Sequence, residues 1–164
     1  MRGLYSPYNG RRIPSLELLE PSEDLAYVIG AVCGDGYVGL ERRREGYTRA
    51  IIYLRAKDKE FVEELAIRIG RVLNRPPPKL KIVRTMGRYY YHTRVGSKTL
   101  YELLKKPVDL ERLRKYIEHC DKCSAAFLRG VLRRGGEHIE RWVNLCGKQR
   151  LSPLEVCAVP SWKI

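Results

Sequence analysis

The spacing of apolar and polar positions changes period repeatedly along this chain. Leu25-Ala26-Tyr27-Val28-Ile29-Gly30-Ala31-Val32-Cys33 is apolar on every side and carries no charge. Such a run reads as a helix buried all round. Pro21-Ser22-Glu23-Asp24 opens it, with Ser22 placed to cap and two acids in the first turn. Gly34-Asp35-Gly36 ends it. From Tyr37 to Arg44 the period drops to two, with Val38 and Leu40 set against Tyr37, Gly39, Glu41 and Arg43, and Glu45-Gly46 reads as a turn. The next run is clearer: Ala50, Ile52, Leu54 and Ala56 alternate with Arg49, Ile51, Tyr53, Arg55 and Lys57. Asp58-Lys59-Glu60 then starts a helix with Phe61, Leu65, Ile69, Val72 and Leu73 on one stripe, ending before Pro76-Pro77-Pro78. A second hairpin follows. Leu80 and Ile82 alternate with Lys79 and Lys81, the turn is Met86-Gly87-Arg88, and Tyr89, Tyr91, Thr93 and Val95 alternate with Arg88, Tyr90, His92 and Arg94. Gly96-Ser97-Lys98 leads into a last helix with Leu100, Leu103 and Leu104.

Helix, hairpin, helix, hairpin, helix is not the alternation that builds a parallel sheet. It predicts an α+β fold, a four-stranded antiparallel sheet with helices on one face. The 164 residues are enough for one sizeable core. Residues 1–21 read as an irregular basic arm and 22–106 as the folded domain.

Charge changes the picture of the sheet. Its second face carries Arg49, Arg55, Lys57, Lys79, Lys81, Arg88 and Arg94 with Tyr53, Tyr90 and His92; Tyr37 and Arg43 belong to the same polar set on the first strand. A merely solvated face mixes acids with bases, and this one hardly does. The whole chain holds 32 Lys and Arg against 19 acids, a formal net charge of +13, with eleven tyrosines interleaved. That is the footprint of a nucleic-acid binder. A twisted β-ribbon fits the major groove, where Arg and Lys read guanine. No stretch is long enough to span a bilayer, no clean basic amphipathic helix is evident, and the N-terminus lacks a signal-peptide core, so an intracellular protein is expected. High arginine content and the proline-rich connection point to a heat-adapted source. No Walker-type phosphate loop and no Cys–His or Ser–His pairing suggest a small-molecule substrate or covalent catalysis.

The helix end carries the candidate chemistry. Gly30 and Gly34 lie four apart, on one helical face, and small residues at that spacing let two helices pack backbone to backbone. Asp35 then sits where a close helix partner would bring a second acid beside it. Two carboxylates with nearby backbone carbonyls make a hard oxygen site suited to Mg²⁺.

The run Val28 to Gly36 resembles the motif of the LAGLIDADG homing endonucleases. Gly30 matches the motif's first glycine, Asp35 its last aspartate and Gly36 its final glycine, while Cys33 replaces its first aspartate. The αββαββα order over residues 22–106 is similar to the family's domain as well. The resemblance implies an archaeal-like site-specific DNA endonuclease that reads duplex DNA with its sheet. It implies Mg²⁺ or Mn²⁺ held by Asp35, with the Gly34 carbonyl as a further ligand, and Lys98 as the cation near each phosphate. A chain with one motif would act as a homodimer, crossing through Tyr27, Gly30, Ala31 and Gly34. The Met start favours an intron-encoded enzyme. The alternative is a DNA- or RNA-binding protein that does not cleave, such as a degenerate homing enzyme, a maturase-like protein or a repressor.

Residues 107–122 read as a connecting helix, and 123–164 as a degenerate second-motif helix with a tail. Phe127-Leu128-Arg129-Gly130 resembles the opening of the second motif in single-chain members. The resemblance then expects two apolar residues and Asp-Ala-Glu-Gly. The chain has Val131-Leu132-Arg133-Arg134-Gly135-Gly136-Glu137, with Gly135 where the second acid should stand. Codons for Val131 to Ile139, read one base further on, permit Phe-Phe-Asp-Ala-Glu-Gly-Ser-Ile. Our hypothesis is a one-base frameshift near Gly130 in a two-motif ancestor; a gene with no second motif in the other frame would contradict it. Five cysteines, an odd count, argue against a disulfide framework. Cys120-Asp121-Lys122-Cys123 beside His119 has the spacing of half a zinc site, but Cys146 and Cys157 are irregularly placed to complete it, and ordinary thiols are the preferred reading.

Overall fold

A computed structural model describes residues 19–44 and 46–132. The arm expected over 1–21 lies outside these residues except for its last three, as does the tail from 133 onward, Gly135 included. The elements run α1 (Glu23–Asp35), β1 (Gly36–Arg42), β2 (Thr48–Ala56), α2 (Lys59–Val72), β3 (Leu80–Thr85), β4 (Arg88–Gly96), α3 (Lys98–Leu104), α4 (Leu110–Ile117) and α5 (Asp121–Leu132). Each of the first four helices has the expected kind of start. The side chains of Ser22, Asp58, Ser97 and Asp109 accept from the backbone N–H of Leu25, Phe61, Leu100 and Arg112, satisfying donors that a helix leaves orphaned. The connecting stretch is two pieces: α4 ends at Ile117, and α5 begins at Asp121 inside the Cys120–Cys123 run.

The strands form one antiparallel sheet in the order β1-β2-β4-β3. Two hairpins join through β2 and β4, with Ile52 opposite Val95 and Leu54 opposite Thr93. Met86 and Gly87, both at positive φ (50° and 73°), make the two-residue turn of the second hairpin, which matches the strand twist. Ala50, Ile52, Leu54, Thr93 and Val95 face the helices and are buried. The helix layer closes the core with Phe61, Val62, Leu65 and Ile69 of α2 and Leu100, Leu103 and Leu104 of α3.

Helix α1 lies in the middle of this layer, and every residue from Leu25 to Val32 is buried. That burial is why the run is apolar on all sides. Tyr27 directs its hydroxyl to Glu64 Oε2 at 3.2 Å. The Arg68 guanidinium stacks over the Tyr27 ring, 4.4 Å from its centre, and binds both Glu64 (2.8 Å) and Asp24 (2.9 Å). This half-buried network locks α1 to α2.

The glycine face of α1 meets α5 of the same chain. A Cβ on Gly30 would overlap the Phe127 carbonyl oxygen, and one on Gly130 would sit 2.5 Å from the Tyr27 carbonyl oxygen and 2.7 Å from Ala31 N. The two contacts are reciprocal: each glycine meets the carbonyl three residues before the other. The expectation that Tyr27, Gly30, Ala31 and Gly34 would face a second copy is therefore corrected. Backbone-to-backbone packing occurs as the spacing requires, but α5 covers Gly30 and Ala31, Gly34 stays exposed at its edge, and the Tyr27 side chain points to α2.

In an open helix Gly→Ala adds about 1 kcal/mol of stability. Here Gly130→Ala must push α5 off α1, and overpacking of this kind costs about 1–3 kcal/mol. Thermal unfolding of the Gly130→Ala protein is expected at a lower temperature than wild type; an unchanged or raised midpoint would contradict the crossing.

Candidate nucleic-acid interface and acidic helix end

The strand register gathers the predicted basic residues onto the sheet face that no helix of the described residues covers. Tyr37 lies opposite Tyr53, and Tyr53 opposite Arg94. Arg55 lies opposite His92, and His92 opposite Lys81. Tyr90 pairs with Val83, and Arg88 with Thr85. Arg49 shares the face beside Glu41, Arg43 lies just past the end of β1, and Lys57 and Lys79 flank β2 and β3. All twelve positions assigned to nucleic acid in the sequence thus fall along one surface.

Two features make this surface ordered rather than a fringe of mobile lysines. Arg55 donates to Thr85 Oγ1 at 2.6 Å and stacks its guanidinium 4.3 Å from the Tyr90 ring centre, while the Tyr53 and His92 rings meet edge to face at 5.4 Å. Across the middle run Gly39, Ile51 and Gly96 in register. A Cβ on Gly39 would fall 2.7 Å from the Tyr37 ring, and one on Gly96 2.6 Å from Arg49 Nη2. The two glycines let Tyr37 and Arg49 lie flat. Burial pushes the His92 imidazole below the ordinary histidine range, and Lys81, Arg55 and Arg94 push it further. Both effects favour the neutral imidazole, and an approaching phosphate would favour its protonation.

One acid stands on this basic face. Glu41 accepts from Arg94 and pairs with Arg43 Nε at 3.1 Å. Its position in the alternating polar set of β1 was legible, but its partners depended on a register two strands away. Ile51 and Val83 also stand on this face, so it is less uniformly polar than the basic count suggests.

Asp35 is the last residue of α1, and Gly36 caps the helix with its N–H on the Val32 carbonyl. A Cβ on Gly36 would lie 2.6 Å from Val32 Cα, so the turn into β1 requires glycine. The chain passes straight from Asp35 into the first strand of the basic sheet. A helix C-terminus is the negative end of the backbone dipole, and the last turn of α1 holds no basic residue. A carboxylate there concentrates negative potential, the arrangement a divalent cation prefers. Among the described residues no three His, Cys, Asp or Glu side chains gather to hold a metal. Asp35 therefore fits a hard cation as one protein ligand, the others being phosphate oxygens and water, as Mg²⁺ commonly takes. Gly34 is exposed on the α5 side, with the Val131 carbonyl 3.4 Å from where its Cβ would be. Lys98 is the first residue of α3, half-buried, rather than the end of the last strand.

No protein-family profile matches the sequence. Sequence comparison finds an uncharacterised protein of Methanocaldococcus jannaschii, 26% identical over 151 residues. The match takes in 85% of this chain and 53% of the relative, so the chain spans about half the length of the curated relative it matches. In structure the chain is similar to the homing endonuclease I-DmoI. Against I-DmoI in complex with DNA and Mn the TM-score is 0.52 at 22% identity, covering 78% of this chain and 80% of that one. Against an I-DmoI variant with its target DNA in the presence of Mg it is 0.51 at 19% identity, covering 76% and 78%. The chain has the fold of these homing endonucleases, a mixed α+β layer with a four-stranded antiparallel sheet. No helix among the described residues is long and apolar enough to cross a membrane.

Proposed function

We propose that this chain is a LAGLIDADG-type DNA endonuclease that lies on duplex DNA through the free sheet face and hydrolyses a phosphodiester with Asp35. The observation that carries this reading is the crossing at Gly30 and Gly130, which leads the carboxylate end of α1 directly into the first strand of a basic face. I-DmoI complexes with DNA, one with Mn and one in the presence of Mg, have the same fold and are compatible with it.

In this reading Arg49, Arg55, Lys81 and Arg94 take the phosphate backbone and guanine edges. The stacked Arg55 and flattened Tyr37 and Arg49 are pre-ordered, which lowers the entropy lost on binding. Asp35, with the Gly34 carbonyl at the α1 terminus, would hold Mg²⁺ or Mn²⁺ beside the scissile phosphate. The bound ion would supply an activated water and neutralise charge on the leaving oxygen. Lys98 stands as the protein's own cation for the same charge.

The working unit we propose is the single chain, because α5 occupies the face that two α1 helices would share. The position equivalent to Asp35, five residues after Gly130, is Gly135. One acid then serves one strand, and the expected product is nicked rather than linear DNA. That same glycine favours a second reading, a DNA-binding protein that does not cut. Duplexes enriched by binding from a randomised pool and then given Mg²⁺ distinguish the two: an Asp35-dependent nick supports the endonuclease, and intact bound DNA supports the binding protein.

A further inference from the structure

The Cys120–Cys123 pair takes no part in the basic face or the acidic helix end, and its geometry is that of a reactive dithiol. The two Sγ atoms lie 3.1 Å apart in a sulfur–sulfur hydrogen bond, and the Cys123 backbone N–H donates to Cys120 Sγ at 3.3 Å. A disulfide needs about 2.05 Å between sulfurs, so closure is a displacement of about an ångström. Access is asymmetric: Cys120 is exposed at the start of α5, whereas Cys123 is 1% exposed and belongs to the hydrophobic core. The junction is held from both sides. Ser124 N–H donates to the Cys120 carbonyl at 3.0 Å, and Ser124 Oγ donates to the Ile117 carbonyl at 3.0 Å. No third ligand joins the pair among the described residues, which disfavours a metal.

We propose that Cys120 and Cys123 form a reversible oxidation site, in which a low-molecular-weight disulfide converts the pair to an intrachain disulfide. The Cys120 thiolate attacks one sulfur of the external disulfide and expels one thiolate. The Cys123 thiol loses its proton to that thiolate and attacks the Cys120 sulfur, and the second external thiol leaves. Two protein thiols are oxidised and one disulfide is reduced to two thiols. The order of attack follows from the electrostatics. The side-chain hydrogen bond with Cys123 and the backbone donors of the first turn lower the Cys120 thiol below its ordinary value. Burial, with the neighbouring sulfur, pushes Cys123 up to about 11. The bond ties the residue before α5 to its first turn, at the base of the helix whose Gly130 crosses α1.

The test treats the full chain with oxidised glutathione, blocks remaining thiols with an alkylating agent, and digests with trypsin. Cleavage after Lys122 separates the two cysteines, so an intrachain disulfide appears as a linked peptide pair. The expected result is that linked pair, reversed by dithiothreitol, with no glutathione retained on either residue. Cys123→Ser is expected to retain glutathione on Cys120, and Cys120→Ser to slow modification at this site by at least about tenfold. Glutathione retained on Cys120 of the wild-type chain, or no modification of the pair, would overturn the proposal.

Discussion

Asp35→Asn is expected to slow metal-dependent strand hydrolysis by more than about a hundredfold while leaving DNA affinity within about twofold, since in the proposed reading it changes the reacting end and not the binding face. Asparagine has the same shape and leaves the Gly36 cap on Val32 intact. What it removes is the charge that in the proposed reading would hold a hard cation at the negative end of α1. A metal contributes several kcal/mol of transition-state charge stabilisation, and each 1.4 kcal/mol is tenfold in rate, so the loss is roughly 10²–10³-fold. The measurement is the rate of nicking on pool-enriched duplexes with saturating protein and Mg²⁺, beside an affinity measurement on the same DNA. Equal nicking by the two proteins would remove Asp35 from the centre. Lost affinity with circular dichroism unchanged would place Asp35 in binding instead.

The second large effect is expected on the sheet. Arg55, Lys81 and Arg94 stand on the β2, β3 and β4 strands of one face. Replacing all three by alanine removes three cations from the proposed DNA surface. Each phosphate contact adds about 0.9 to the slope of log affinity against log salt, so the slope should shrink by about three. At low salt the affinity should fall on the order of 10²-fold. Arg94→Ala also takes away one of the two partners of Glu41, leaving Arg43, so this substitution is expected to cost more affinity than Lys81→Ala. Lys59, Arg71 and Lys115, on the helix layer, give a control of equal charge change. If the control triple weakened binding equally, net charge rather than this face would be responsible.

Much of the fold was legible because the β2 and β4 alternation is strict. Ile52 and Leu54 could only turn inward together, and that choice put Tyr53 and Arg55 outward. The hairpin turn at Met86-Gly87 fixed the β3 register, and with it the neighbours of His92. The helix starts were legible from Ser22, Asp58, Ser97 and Asp109, each a side-chain acceptor placed before an apolar stripe.

What escaped was tertiary. Gly30 and Gly34 announce close helix packing but not whose helix arrives, because the sterics of an intrachain and an interchain crossing are the same. Gly130, three residues after Phe127, was the available signal: Gly30 stands in the same relation to Tyr27, and the structure uses the two glycines reciprocally. The Glu41 clamp on Arg43 and Arg94 depended on strand register, which periodicity within one strand does not contain. The Cys120–Cys123 pair looked like half a metal site by spacing; the start of α5 between the two cysteines explains why the sulfurs face each other instead.

A helix crossing completed within one chain leaves one basic sheet face for one duplex in the proposed reading. Light scattering of the chain mixed with a pool-enriched duplex at low salt measures this directly. The predicted result is a complex of one chain with one duplex that separates as salt is raised. Two chains per duplex, or free duplex at low salt, would contradict it.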